Sequence, residues 1–173
     1  LTDAGIALVK ACNDLGIMID LSHLNEKGFW DVAKHTDAPI VATHSNVHNI
    51  CPVTRNLTDK QFDAVAESGG VVGLNFSIGF LDPKGPDAKD TTIDVMVQHI
   101  TYMVDRMGID HVALGSDFDG TGVPSAIGDV TGLPKLIDAL RTAGFDDGSL
   151  RKIAYKNWVR VLGETWKDDA YSA

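Results

Sequence analysis

Four short apolar runs, residues 17–21, 40–43, 71–76 and 111–114, alternate along the chain with longer stretches whose apolar residues recur every three or four positions. Apolar side chains largely fill the short runs without polar alternation, so the runs predict strands buried on both faces, the pattern of a parallel sheet. The longer stretches predict helices. Thr2 is the expected N-cap of the first, which aligns Ala4, Leu8, Ala11, Cys12 and Leu15 and stops at Gly16. A second helix spans about 26–34. Thr58-Asp-Lys-Gln61 forms a capping box, opening a helix that buries Phe62, Val65 and Ala66 and ends at Ser68-Gly69-Gly70. The strongest periodicity begins near Thr92, with Ile93, Val97, Ile100, Val104 and Met107 on one face and Gly108 as the stop. Two helices complete the set. Leu133, Leu136, Ile137 and Leu140 line a short one ended by Gly144, and Leu150, Ile153, Trp158, Val161 and Leu162 line another over 148–166.

The predicted order is one helix followed by four βα units, with no near-identical repeat between them. This alternation predicts an α/β fold with right-handed crossovers and helices outside the sheet. A doubly wound sheet and a (β/α)8 barrel both satisfy it. The barrel is favoured because three runs end in His23, His44 and Asp117 and none leads into a glycine-rich phosphate loop. A full barrel needs about 250 residues and eight strands. The expectation is therefore a single domain over 1–173 made of four βα units of a parallel (β/α)8 (TIM-type) barrel, incomplete in this chain. Such a half would expose sheet edges and uncovered apolar strand faces, and would pair with a second copy or with the missing half.

Charge and composition narrow the partners. With 15 Lys+Arg against 24 Asp+Glu the net charge is −9, which disfavours nucleic acid and anionic membrane. No apolar run approaches the ~20 residues of a membrane span. Residues 1–16 contain Asp3, Lys10, Asn13 and Asp14, unlike a signal-peptide core, and the chain opens into a helix without an initiator Met. A cytoplasmic protein is the expectation. The two cysteines, Cys12 and Cys51, predict unpaired thiols and no paired-cysteine zinc site. Loops over 46–56, with His48 and Arg55, and over 77–90, long enough to act as a lid, are the expected borders of a site.

The candidate chemistry lies at the strand ends. Gly115-Ser-Asp-Phe-Asp-Gly120 places carboxylates between glycines at the end of a buried run. Unpaired buried carboxylates cost several kcal/mol, so the placement suits an acid aimed at a metal or substrate. Asp119 beside Gly120 reads as a turn residue, and Asp117, directly after the strand, as the inward acid. A lone histidine at a strand end is most often structural. His23 and His44 stand at corresponding positions of adjacent strands about 5 Å apart, where two imidazoles can share one metal ion. His35, His48, His99 and His111 lack such spacing and read as structural.

Ile19-Asp-Leu-Ser-His23, Thr43-His-Ser45, Arg55-Asn56 in the stretch from Cys51 to Thr58, Leu74-Asn-Phe76 and Gly115-Ser-Asp-Phe-Asp-Gly120 together resemble the renal (membrane) dipeptidase family of zinc peptidases. The resemblance covers nearly the whole chain and rests on the ordered combination. It implies a (β/α)8 barrel with a two-zinc site at its C-terminal mouth that hydrolyses dipeptides and, in some members, related amides or lactams. By that resemblance His23 and His44 hold the second zinc, Arg55 binds the substrate's terminal carboxylate, and Asp117 is the catalytic and substrate-binding acid beside the first zinc. The family's His-x-Asp pair, bridging carboxylate and further site histidine, all on earlier strands, have no match. The chain is then similar to the final four βα units, strands five to eight, with one half-site of zinc. The expected function is zinc-dependent hydrolysis of a dipeptide or small carboxylate-bearing amide, active only with the N-terminal half. A non-catalytic half-barrel that associates with a partner, or another amidohydrolase-type enzyme such as a lactonase or deaminase, are the alternatives.

Overall fold

The computed structural model describes residues 1–167. In chain order the elements are α1 (Asp3–Asp14), α2 (Glu26–His35), β1 (Val41–Ala42), α3 (Asp59–Glu67), β2 (Val71–Leu74), α4 (Ile78–Leu81), α5 (Ile93–Met107), β3 (Val112–Leu114), α6 (Leu133–Thr142), α7 (Asp147–Arg151) and α8 (Asn157–Trp166). The three strands are parallel and ordered β1-β2-β3. Their sequential order, with α3 and α5 as crossovers, is that of consecutive βα units.

Local chemistry sets the helix boundaries. The Thr2 hydroxyl accepts from the Gly5 N–H, the Asn25 side chain does the same for Gly28, and Thr58 and Gln61 form the expected reciprocal capping box. Gly108, at φ 87°, and Gly144, at φ 102°, end α5 and α6 in a backbone conformation that side chains disfavour. Two helices differ from expectation. Burial on α5 centres on Met96, His99, Ile100, Met103 and Met107, while Ile93, Val97 and Val104 sit half-buried at its margins. The helix expected over 148–166 begins at Asp147 on an Asp146 cap and contains a π turn, Lys152–Lys156, between α7 and α8. Asn157, immediately after that turn, is buried and donates to the Ile109 and Val112 carbonyls, each at 2.8 Å.

The run 17–21 corrects the four-strand expectation. It contributes one parallel bridge, Asp20 to Val41, and Ile17 is 52% exposed although Leu21 is buried. The Leu21 N–H donates to the Val41 carbonyl at 2.8 Å, but the next ladder position is taken by a side chain: Asp20 Oδ1 accepts from the Thr43 and Ser22 N–H groups, each at 2.9 Å. A carboxylate that replaces backbone acceptors ends the strand after one pair.

The expectation of uncovered strand faces is also corrected. Ala42, Val72, Leu74 and Val112 face a core that includes Phe29, Phe62, Ile100, Met103, Leu136 and Leu140. Val41, Val71 and Ala113, on the opposite face, pack with Val161 of α8 and are fully buried. Helix α8 covers the second face. Exposed apolar side chains include Leu8 of α1 and Leu15 and Ile17 just after it.

Candidate active site

His23 and His44 follow the Asp20 bridge and β1, so the parallel pairing brings them to the same end of the sheet. Their Nε2 atoms are 3.0 Å apart, and the ring planes are tilted by 56°. His23 adopts φ 70° and is exposed, whereas His44 is half-buried. The tautomer of His44 follows from its neighbours. Thr43 Oγ1 donates to Asp20 Oδ2 at 2.5 Å, so its lone pair accepts from His44 Nδ1–H at 2.6 Å. That bond leaves Nε2 with a free lone pair directed at His23. Burial, and then the Arg55 charge, hold the His44 pKa below its ordinary value against opposing pulls from Asp20 and Asp117. Asp20 stays a carboxylate: burial acts to raise its pKa, but hydrogen bonds from Thr43 and Ser22 outweigh it.

Arg55 reaches the same mouth from the loop between β1 and α3. Its Nη2 donates to the His44 carbonyl at 2.8 Å and its Nη1 to Ser45 Oγ at 2.9 Å. Nε is buried without a partner, and the guanidinium lies 5.7 Å from the Phe80 ring centroid. Burial lowers the Arg55 pKa against the raising influence of Asp20 and Asp117, and the group remains a cation at neutral pH. Among the described residues no carboxylate forms an ion pair with it.

Asp117 follows β3 in a left-handed conformation, φ 60°, and so does Asp119, at φ 65°. The Asp117 carbonyl accepts from the Gly120 N–H at 3.1 Å, closing the turn. A Cβ at Gly120 would meet Asp117 Oδ1, so any side chain there would displace that oxygen. Asp117 Oδ2 accepts from Asn75 Nδ2 at 3.0 Å, and the same amide lies 3.4 Å from the His44 carbonyl oxygen.

A cavity of about 450 Å³ opens beside this group, with His23, Glu26, Ser45, His48, Arg55 and Gln61 on its wall. His48, read from sequence as structural, lines this space. His99 is fully buried, with Nδ1 accepting from Val47 N–H at 3.1 Å and Nε2 donating to the Leu81 carbonyl at 2.9 Å. His111 Nδ1 lies 2.8 Å from the Gly70 carbonyl oxygen. Both cysteines are free thiols. Sequence reasoning gave no role to Asp20, Thr43 or Asn75. The available signal was a polar residue inside an apolar run, at Asp20 in 17–21 and Asn75 in 71–76.

The donor set fits a divalent cation in part. Two imidazole nitrogens converge, one with its tautomer fixed by a carboxylate-backed hydroxyl, as metal-ligating histidines require. Among the described residues no third His, Cys, Asp or Glu joins them in a metal-binding group. Zinc normally takes at least three protein ligands, so these two alone fall short of a full set.

A parallel α/β sheet that gathers imidazoles, a carboxylate and a guanidinium at the C-terminal strand ends has the layout of a barrel-type α/β enzyme. The chain belongs to the membrane dipeptidase family (peptidase family M19), which it matches over residues 1–171. It is 53% identical over 167 residues to an "Uncharacterized protein in pqqA 5'region" of Klebsiella pneumoniae, a match covering 96% of this chain and 62% of that protein. The crystal structure of dipeptidase AC, a metallopeptidase of family M19, superposes with a TM-score of 0.93 at 51% identity, covering 96% of this chain and 49% of its own. A metallopeptidase from Rhodobacter sphaeroides, liganded with a phosphinate mimic of the dipeptide L-Ala-D-Ala, gives a TM-score of 0.93 at 52% identity, covering 96% and 47%. The chain thus spans about half the length of these solved structures. The family implies a metal. Among the described residues no helix is long and apolar enough to cross a membrane.

Proposed function

We propose that this chain supplies the metal-binding histidines, the carboxylate clamp and the proton carrier of a zinc-dependent dipeptidase. One observation carries the reading: His23 and His44 converge to 3.0 Å between Nε2 atoms, while the half-buried Arg55 is bonded to the His44 carbonyl and has no carboxylate partner among the described residues. The phosphinate dipeptide mimic bound by the Rhodobacter relative supports a dipeptide as substrate. The half-length match supports reading the chain as one half of a barrel, whose remaining ligands come from the other half.

Zinc bound there would lower the pKa of a coordinated water and polarise the scissile carbonyl. Arg55 binds the terminal carboxylate of the dipeptide through its guanidinium, and this selects short substrates with a nearby C-terminus. Asp117 takes a proton from the attacking water and returns it to the leaving amine nitrogen. Asp20 and Thr43 hold His44 in the tautomer that leaves Nε2 free. The cavity beside Arg55 receives the substrate's C-terminal residue.

Zinc titration by calorimetry tests the metal assignment. The chain should bind zinc weakly, and His23→Ala or His44→Ala should abolish that binding without changing the folded far-ultraviolet spectrum. Retention of the same affinity in both variants would place the metal elsewhere.

A further inference from the structure

Asn75 is fully buried at the end of β2, and every polar atom it owns has a direction. Its N–H donates to Asn46 Oδ1 and its carbonyl accepts from Asn46 Nδ2, both at 2.9 Å, so the Asn46 side chain extends the β1–β2 ladder and clamps the Asn75 backbone. Its side-chain carbonyl accepts from the Ser77 N–H at 2.6 Å. Only a carbonyl oxygen can make that last bond, which excludes the flipped amide. The amide NH2 must then point the other way, and it meets Asp117 Oδ2 at 3.0 Å. Asn46 and Ser77 are themselves buried, so the arrangement is held on three sides by groups that solvent does not reach.

On this geometry, and on the proton-carrying role proposed for Asp117, we infer that Asn75 is a positioning residue for the reaction. It pins Oδ2 and thereby presents Oδ1 as the oxygen that exchanges the proton. The left-handed backbone of Asp117 sets where the carboxyl group stands, and the missing side chain at Gly120 leaves room for Oδ1. An unpinned carboxylate would rotate about its last bond and spend most of its time misaligned with the leaving nitrogen.

The test compares leaving groups in the complete zinc-loaded enzyme. A dipeptide needs its amine nitrogen protonated in order to leave, whereas the matched depsipeptide, an ester with the same terminal carboxylate, expels an alcohol with less help. Asn75→Ala and the shape-conserving Asn75→Asp should lower kcat for the dipeptide about 10- to 100-fold, lower it about 10-fold less for the ester, which shares the deprotonation of water but not the need to protonate an amine, and leave KM for both within about 2-fold. Thermal melting of each variant gives its folded fraction. Parallel losses on both substrates, or a change confined to KM, would overturn the positioning role and leave Asn75 as scaffold. Asp117→Asn, run alongside, separates the two levels. If it shows the leaving-group dependence and the Asn75 variants do not, only this inference fails; if it lacks the dependence, the proton-carrier assignment fails with it.

Discussion

Asp117 and Arg55 divide the proposed work at the residue scale, and the division is measurable. Asp117→Asn keeps the shape but cannot accept and return a proton, so kcat for a dipeptide should fall about 10²- to 10⁴-fold with little change in KM. Arg55→Ala should act in the opposite sense. Losing one side of a buried charge pair costs at least about 2 kcal/mol, so KM for the dipeptide should rise about 30-fold or more, while an analogue with an amidated C-terminus is spared. Steady-state kinetics of both variants on the two substrates reads this directly. Asp117 stood out in sequence because an acid directly after a buried apolar run has no structural reason to be there, whereas Arg55 lies in a loop and drew its candidate role from the family resemblance alone. Asp20 and Asn75 did not stand out, because a single polar residue within a strand-like run gives no hint of where its side chain bonds. Asp20 caps the Thr43 N–H and Asn75 meets Asp117, contacts between residues 23 and 42 positions apart that only the folded sheet creates.

At the scale of elements, the strands approach closely at two glycines. A Cβ on Gly73 in β2 or on Gly115 just after β3 would collide with the Thr43 carbonyl oxygen, next to His44. Gly73→Ala and Gly115→Ala should each destabilise the fold by about 1–3 kcal/mol, as overpacking in a tight interior does, read in denaturant unfolding. His99 ties α5 to the loop after His44 and to α4, and burial depresses its pKa from 6.5 to about 4, against a raising hydrogen bond to Leu81. The unfolded chain therefore binds a proton that the native state refuses between those two values. Stability contributed by the neutral ring is full above pH 6.5 and lost as pH falls towards 4, by about 3 kcal/mol in all. Denaturant midpoints measured from pH 7 to 4.5 should fall, and His99→Gln should flatten that dependence. The Thr2 cap and the capping box at Thr58 could be read from sequence because they depend on neighbours three residues apart. The single bridge at Asp20 and the π turn before α8 could not, since both answer to distant carbonyls and amides.

The whole molecule exposes apolar side chains on and just after α1, at Leu8, Leu15 and Ile17, and holds two converging imidazoles that no third metal-binding side chain joins among the described residues. Both features fit the proposal that a complementary half completes the barrel; Val41, Val71 and Ala113 are already buried under α8, so in that proposal the unpaired sheet edges make the contact. Sedimentation of this chain should show dimers or larger species, and a monodisperse 18.6 kDa monomer would count against that proposal. The central claim is that zinc held by His23 and His44 powers dipeptide hydrolysis. Its most direct test is the turnover of a simple dipeptide by the complete enzyme, wild type against His44→Ala, after chelation and again after zinc is restored. The account predicts that chelation abolishes wild-type turnover, that zinc restores it, and that His44→Ala stays inactive at the same zinc concentration; turnover that survives chelation, or a His44→Ala enzyme as active as wild type, would contradict it.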